Sequence, residues 1–301
     1  MEQKPRSDYL DADTVARGEA LGILARTVVE GYRVGEHRSP FKGFAIEFAQ
    51  HREYTIGDDT RHLDWKVIGR TDRYYIKQYE QDTNFVAHLI IDASESMNYG
   101  SGAVTKMEYA KGLAACLAYL VLVQKDAAAL YLCDTEIRET MARTDSLNRI
   151  HHIMDRLAKF RAAGQTKLAA ILKDIAQQVR ARGIIVLISD LFDSEEEMER
   201  GLQLLRFGRS EVIVFHVLDP YELEFPFQGT VEFEGFEGLG KLKTNPADFR
   251  KSYLQAVNDY RRRVQEICDR CGCGYVLADT GVPLAETLSS YLAFRQGASG
   301  R

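Results

Sequence analysis

Phe85-Val-Ala-His-Leu-Ile-Ile91, running straight into Asp92-Ala-Ser94-Glu-Ser96, is the stretch that decides how this chain folds. A short, nearly continuous apolar run that ends in polar residues reads as a strand buried on both faces. The acid and two hydroxyls that follow are spaced at intervals of two, which in an extended loop points all three oxygens to one side. Hard cations such as Mg²⁺ take oxygen ligands and keep some water, so Asp92, Ser94 and Ser96 form one edge of a candidate octahedral site. The rest of the shell then has to come from elsewhere in the chain or from a partner.

Downstream, the rhythm of strand then helix continues. Lys106 to Val123 is a long helix rich in Ala and Leu, and Ala127–Cys133 and Glu136–Met141 are two strands about a turn. Helices follow over Leu147–Phe160 and Leu168–Val179, the second with Leu168, Ile171, Leu172, Ile175 and Val179 in one apolar stripe. Gly183–Ser189 is another continuous apolar strand, Glu195–Phe207 a helix with acids in its first turn, and Glu211–Leu218 a further strand. A helix over about 247–269, a strand at Gly274–Leu277 and a helix at Leu284–Phe294 complete the series. Apolar strands separated by helices predict an α/β fold, a doubly wound and mostly parallel sheet with helices on both faces. Residues 219–243 break the pattern: they are acidic and aromatic and read as an inserted hairpin or exposed loop.

Residues 1–84 differ in character from this 85–301 unit. They offer a helix over Ala16–Tyr32, a basic glycine-containing stretch over 31–43, and aromatics alternating with charges in Arg73-Tyr-Tyr-Ile-Lys-Gln-Tyr79. An α/β or β-rich N-terminal appendage is expected there.

The chain has 301 residues, 45% hydrophobic and 28% charged, a composition ordinary for a globular protein with a sizeable core. No apolar run is long enough to span a bilayer, and the N-terminus lacks the apolar core of a secretory signal, so the expectation is a cytoplasmic protein without a transmembrane segment. A net charge of −5 argues against a nucleic-acid binder. No Gly-rich phosphate loop ending in Gly-Lys-Ser/Thr is present, which speaks against ATP hydrolysis by this chain alone. Five cysteines are too few for a disulfide framework. Cys268, Cys271 and Cys273 lack a second pair for a zinc site and read as core and turn residues.

In a doubly wound sheet, ligands sit beyond the carboxyl ends of the strands where strand order reverses. Two more loops at that edge carry suitable oxygens: Gly164-Gln-Thr166, ahead of the striped helix, and Ser189-Asp190, at the end of a strand. Singly, each is also an ordinary turn or cap residue. Together, Asp92, Ser94, Ser96, Thr166 and Asp190 make a candidate metal site for Mg²⁺, or for Mn²⁺ or Ca²⁺. Ser189 is placed to tune the shell rather than to ligate.

This arrangement resembles the von Willebrand factor A domain and its metal-ion-dependent adhesion site, whose pattern is Asp-x-Ser-x-Ser, then Thr, then Asp. Here Gly-Gln-Thr166 stands where Gly-Gly-Thr is commoner. A second resemblance covers nearly the whole chain. Arg52-Glu-Tyr54-Thr-Ile-Gly57-Asp58-Asp59-Thr-Arg61-His-Leu-Asp64-Trp65-Lys66, with Arg70 and Glu80 following, is similar to the signature of the bacterial DUF58 family. Leu277-Ala-Asp279-Thr280, Pro283, Leu288 and Tyr291-Leu…Arg295 match as well. The resemblance implies an A-type domain behind the signature and an association with MoxR-type AAA+ ATPases. The charges of the signature, Asp58, Asp59 and Asp64 against Arg52, Arg61, Lys66 and Arg70, read first as an ion-pair network with Trp65 as apolar anchor, and second as a partner surface.

The function expected is a metal-dependent protein-interaction module, an adaptor or co-chaperone in which the ion captures an Asp or Glu of a protein partner. Two alternatives stand beside it: a divalent-metal-dependent phosphoryl-transfer or hydrolytic enzyme, and a structural scaffold with a vestigial ion site. No serine, cysteine or histidine has triad spacing, and Asp92-x-Ser94 lacks the second Asp of a haloacid-dehalogenase nucleophile motif, so no catalytic residue is expected.

Overall fold

The computed structural model describes residues 19–29, 46–55, 67, 69, 74–81, 86–164, 167–179, 183–207, 210–235 and 240–298, without the side chains of 46–52, 76–81 and 293–298. A helix over 19–29 (α1) is followed by two antiparallel strands, Ile46–Glu53 (β1) and Tyr75–Gln81 (β2), which pair as a separate two-stranded sheet. Of the upstream signature, residues 56–66 and Arg70 lie outside the described residues, as does the basic stretch 31–43.

The main sheet begins with Val86–Asp92 (β3), buried at every position. Lys106–Val123 (α2) opens with a capping box: Thr105 Oγ1 accepts from Glu108 N at 3.2 Å, and Glu108 Oε2 accepts from Thr105 N at 3.0 Å. Then come Ala127–Cys133 (β4), Ile137–Thr144 (β5), Ile150–Lys159 (α3) and Leu168–Gln178 (α4). The chain goes on through Gly183–Ser189 (β6), Glu195–Phe207 (α5) and Glu211–Leu218 (β7). The insertion consists of a short helix, Pro220–Glu224 (α6), and an antiparallel hairpin, Val231–Glu234 (β8) with Lys241–Thr244 (β9). Arg250–Arg270 (α7), Gly274–Asp279 (β10) and Leu284–Ala298 (α8) close the fold.

The strands lie in the order β10-β7-β6-β3-β4-β5, with only β5 antiparallel to its neighbour. This is the doubly wound, mostly parallel sheet that the apolar runs predicted. The edge strand β5 alternates half-buried with exposed residues, the pattern of a strand with one wet face. It also runs three residues beyond the expected Met141, and a 3₁₀ turn at Leu147–Arg149 replaces the first turn of the helix expected there.

Alternate residues of β3 feed two cores. Ala87, Leu89 and Ile91 face a layer made by α2, α3 and α8, to which α1 contributes Ala25 and Val29. Val86 and Ile90 face α4, α5 and α7 through Ile171, Leu172, Leu202 and Ile267. The expected 1–84 segment therefore supplies part of the main core through α1.

Candidate functional site

β3 leads the chain to one side, through β4 and β5, and the chain then returns to place β6, β7 and β10 on the other. The carboxyl ends of β3 and β6 thus flank the point where strand order reverses, and the two acids singled out in the sequence stand there. Asp92 is the last residue of β3, and Asp190 follows the last residue of β6.

Asp92 is 2% exposed. Its Oδ1 accepts from Ser94 N at 3.0 Å, and its Oδ2 accepts from Ser189 Oγ at 2.6 Å. Burial, with Asp190 adding like charge, pushes its carboxyl up to about 6 despite these hydrogen bonds. Ser94 Oγ and Ser96 Oγ lie 3.0 Å apart. For an octahedral ion with metal–oxygen distances of about 2.0–2.1 Å, adjacent ligand oxygens sit roughly 2.9 Å apart. The two hydroxyls are hydrogen-bonded to each other, at a distance that also matches a coordination edge.

The loop that carries them is tied to its surroundings through the backbone. Ala93 N donates to Cys133 O, Glu95 N to Gly164 O, and Ala163 N to Ala93 O, at 2.7–2.8 Å. Gly164 has a positive φ of 79°, a conformation that suits glycine. Thr166 lies outside the described residues; the loop entering it is thus fastened to the Asp92–Ser96 turn on its described side.

Asp190 is fully buried and engaged on both oxygens. Its Oδ2 accepts from Lys106 Nζ at 2.8 Å, and its Oδ1 from Phe192 N at 3.4 Å. Behind it, burial pushes His216 down to about 4, so this imidazole is neutral at neutral pH. Because a carbonyl can only accept, His216 Nε2 carries the proton and donates to Asp190 O at 3.1 Å, leaving Nδ1 to accept from Tyr275 OH at 3.0 Å. Leu191 is held at a φ of 56°, with its N donating to Ser189 Oγ and its O accepting from Tyr260 OH at 2.5 Å. That backbone turn sends Phe192 outward, 65% exposed, with its ring centroid 5.9 Å from Lys106 Nζ.

Lys106, Asp219 and Glu222 are the residues that the sequence did not single out. Lys106 Nζ bridges Asp190 and Glu222 Oε1, the latter at 2.9 Å. Burial opposes the ammonium charge, but the two carboxylates outweigh it and hold Lys106 above its ordinary value. Asp219 caps α6 and ties it to the loop after Ser96, accepting from Ser101 N at 2.9 Å and Ser101 Oγ at 2.5 Å. Beyond α6, Phe225 packs against Phe227, Phe233, Phe249 and Tyr253, so an aromatic cluster joins the acidic insertion to the start of α7.

Among the described residues, no three His, Cys, Asp or Glu side chains converge as a metal cage. The donors brought together here are instead hydroxyls beside two acids. Asp92, Asp190, Asp219 and Glu222 against Lys106 leave a formal excess of three negative charges in a largely buried cluster, an environment that favours a cation. The chemistry and spacing of these residues therefore fit Mg²⁺. Cys268, Cys271 and Cys273 are free thiols near the start of β10, and burial pushes Cys268 and Cys273 up to about 12.

The profile of the family described as "Protein of unknown function DUF58" matches residues 50–263. The chain belongs to the DUF58 family. Among relatives of this DUF58 chain, the uncharacterized protein Rv1480 of Mycobacterium tuberculosis is 27% identical over 273 residues, covering 89% of this chain and 85% of that one. The uncharacterized protein Mb1516 of Mycobacterium bovis matches to the same extent. Two solved structures are similar to this DUF58 chain at low identity. The conserved hypothetical protein BatB of Bacteroides thetaiotaomicron matches with a TM-score of 0.47 at 15% identity, over 71% of this chain and 100% of that one. The SpRpn10 VWA domain matches with a TM-score of 0.39 at 14% identity, over 68% and 94%. No helix among the described residues is long and apolar enough to cross a membrane.

Proposed function

We propose that this DUF58 protein is a divalent-metal-dependent protein-interaction module of the cytoplasm, and that its ion captures a carboxylate of a protein partner. The observation that carries this is the pair of hydroxyls, Ser94 and Ser96, at coordination-edge spacing beside Asp92 in a corner with excess negative charge. Asp92, Ser94, Ser96 and Thr166 would hold Mg²⁺, and Asp190 would act on it directly or through water. When bound, the ion supplies a Lewis-acidic position for an incoming Asp or Glu side chain.

The chain's own residues prepare that position. Ser189 and the Ser94 amide orient Asp92, and the exposed Phe192 ring offers an apolar contact near Lys106. His216, next to Asp190, has both ring nitrogens engaged in hydrogen bonds, Nε2 to Asp190 O and Nδ1 to Tyr275 OH, so neither is free to take a proton from a substrate. The family resemblance makes a MoxR-type AAA+ ATPase the partner to try first.

The test is affinity capture with the full chain in Mg²⁺ and in EDTA, for wild type and Asp92→Ala. Capture in Mg²⁺ that is lost both in EDTA and in the variant is the expected result. Equal capture under all of these conditions would sink the metal-docking reading, and metal-dependent turnover of a phosphoester panel would favour an enzyme instead.

A further inference from the structure

We infer that Lys106 is a built-in cation that shares Asp190 with the divalent ion, and so links occupancy of the site to the segment carrying Glu222. This rests on the ion reading above and adds its regulation. Lys106 stands where a lysine is unwelcome on two counts. It is the first residue of α2, so its charge meets the positive end of the helix dipole, and it is 1% exposed. Its Nζ is held by one carboxylate on each side, Asp190 at 2.8 Å and Glu222 at 2.9 Å. The rings of Tyr99 and Phe192, each with its centroid 5.9 Å from Nζ, complete the enclosure.

The two partners of Lys106 belong to different parts of the fold. Asp190 ends β6, at the ion corner. Glu222 lies on α6, and its Oε2 accepts from Asp219 N at 2.8 Å, while Asp219 in turn grips Ser101. Without the ion, Lys106 supplies positive charge to Asp190. With the ion present, two cations compete for one carboxylate, and the repulsion is relieved as Nζ shifts toward Glu222. The competition therefore lowers the affinity for the ion and transmits its arrival to α6 and the aromatic insertion behind it.

Titration calorimetry with Mg²⁺ and Mn²⁺ on the full chain, together with hydrogen exchange across 219–225, tests this. Lys106→Met removes the competing charge and is expected to bind either ion at least tenfold more tightly. Glu222→Gln, which takes away the place to which Nζ retreats, is expected to bind several-fold more weakly. Mg²⁺ is expected to change amide protection across 219–225 in wild type but not in Lys106→Met. Removing one partner of a buried ion pair can unfold a protein. The double variant Lys106→Met/Glu222→Gln leaves fewer unpaired charges and carries the same test.

Ion affinity and α6 protection in the folded Lys106 variants that equal the wild type would overturn the shared-cation inference and leave the ion reading standing. No ion binding by any folded protein overturns both. Binding by the Lys106 variants alone supports the built-in cation and overturns metal docking in the wild type.

Discussion

Ser189 Oγ donates a 2.6 Å hydrogen bond to Asp92 Oδ2, fastening the end of β6 to the end of β3 across the reversal of strand order. The same oxygen accepts from Leu191 N at 2.8 Å, so one hydroxyl serves both the acid of one strand and the turn after the other. Ser189→Ala leaves a buried carboxylate short of a donor and a buried amide without its acceptor. An unsatisfied buried group costs about 1–3 kcal/mol, and urea melts are expected to show a loss of that order, together with weaker Mg²⁺ binding. A melt unchanged from wild type would mean that water or a neighbour replaces the hydroxyl.

Ser96 is only partly buried, and its hydroxyl meets Ser94 Oγ. Ser96→Ala is expected to move stability by less than about 0.5 kcal/mol, as surface changes do. Mg²⁺ affinity is expected to fall by about tenfold or more, the scale on which supporting groups of metal sites act. Calorimetry and a circular-dichroism melt on the same sample separate the two effects. A lost melt with retained binding would reverse the assignment.

His88, in the middle of β3, provides a pH test away from the candidate site at the strand end. Burial, and then the Arg143 charge, push it from 6.5 down to about 4. Its Nδ1 lies 3.3 Å from Tyr131 OH, while among the described residues Nε2 has no partner. The unfolded chain therefore takes up a proton near pH 6.5 that the folded chain refuses until about pH 4, and stability falls as pH drops through that window. The loss is on the order of 3 kcal/mol at its acid end. Asp92, raised to about 6, acts with the opposite sign over an overlapping range, so the comparison has to be made against a variant. Denaturant melts at pH 7 and pH 4.5 are expected to show a smaller acid loss in His88→Leu than in wild type. Equal losses would place the acid sensitivity elsewhere.

Gly183 opens β6 beside β3, and a Cβ there would lie 2.0 Å from Val86 O, a backbone atom that cannot swing aside. Gly183→Ala is expected to push the two central strands apart and to destabilise by about 1–3 kcal/mol or more, as overpacking does. The midpoint of a urea melt measures it, and an unchanged midpoint would show that the strands can separate there freely.

The sheet was legible because its central strands are buried on both faces and so leave nearly continuous apolar runs at 85–91, 183–189 and 211–218. The places of Asp92 and Asp190 at the ends of β3 and β6 were legible because residues that close an apolar run carry their position in the order of the chain. Lys106 was not, since a lysine in a helix usually extends into water. Its one signal was a positive charge directly after the Thr105 cap, at the helix end that favours acids. Asp219 and Glu222 were hidden by company: in a segment as acidic as 219–243, nothing local distinguishes the two carboxylates that tertiary contacts hold in place. Phe225 was obscured in the same way, as one aromatic among several until the hairpin folds over it.

The bond between Ser189 and Asp92 spans 97 positions of sequence, that between Lys106 and Asp190 spans 84, and that between Ser101 and Asp219 spans 118. None of these contacts can form before the later of its two residues has been added to the chain, and each depends on slow, non-local closure of a parallel sheet. A ligand that needs this corner binds the finished molecule and not its precursors, and by mass action stabilises it. Whatever docks here is thereby selecting for completed folding.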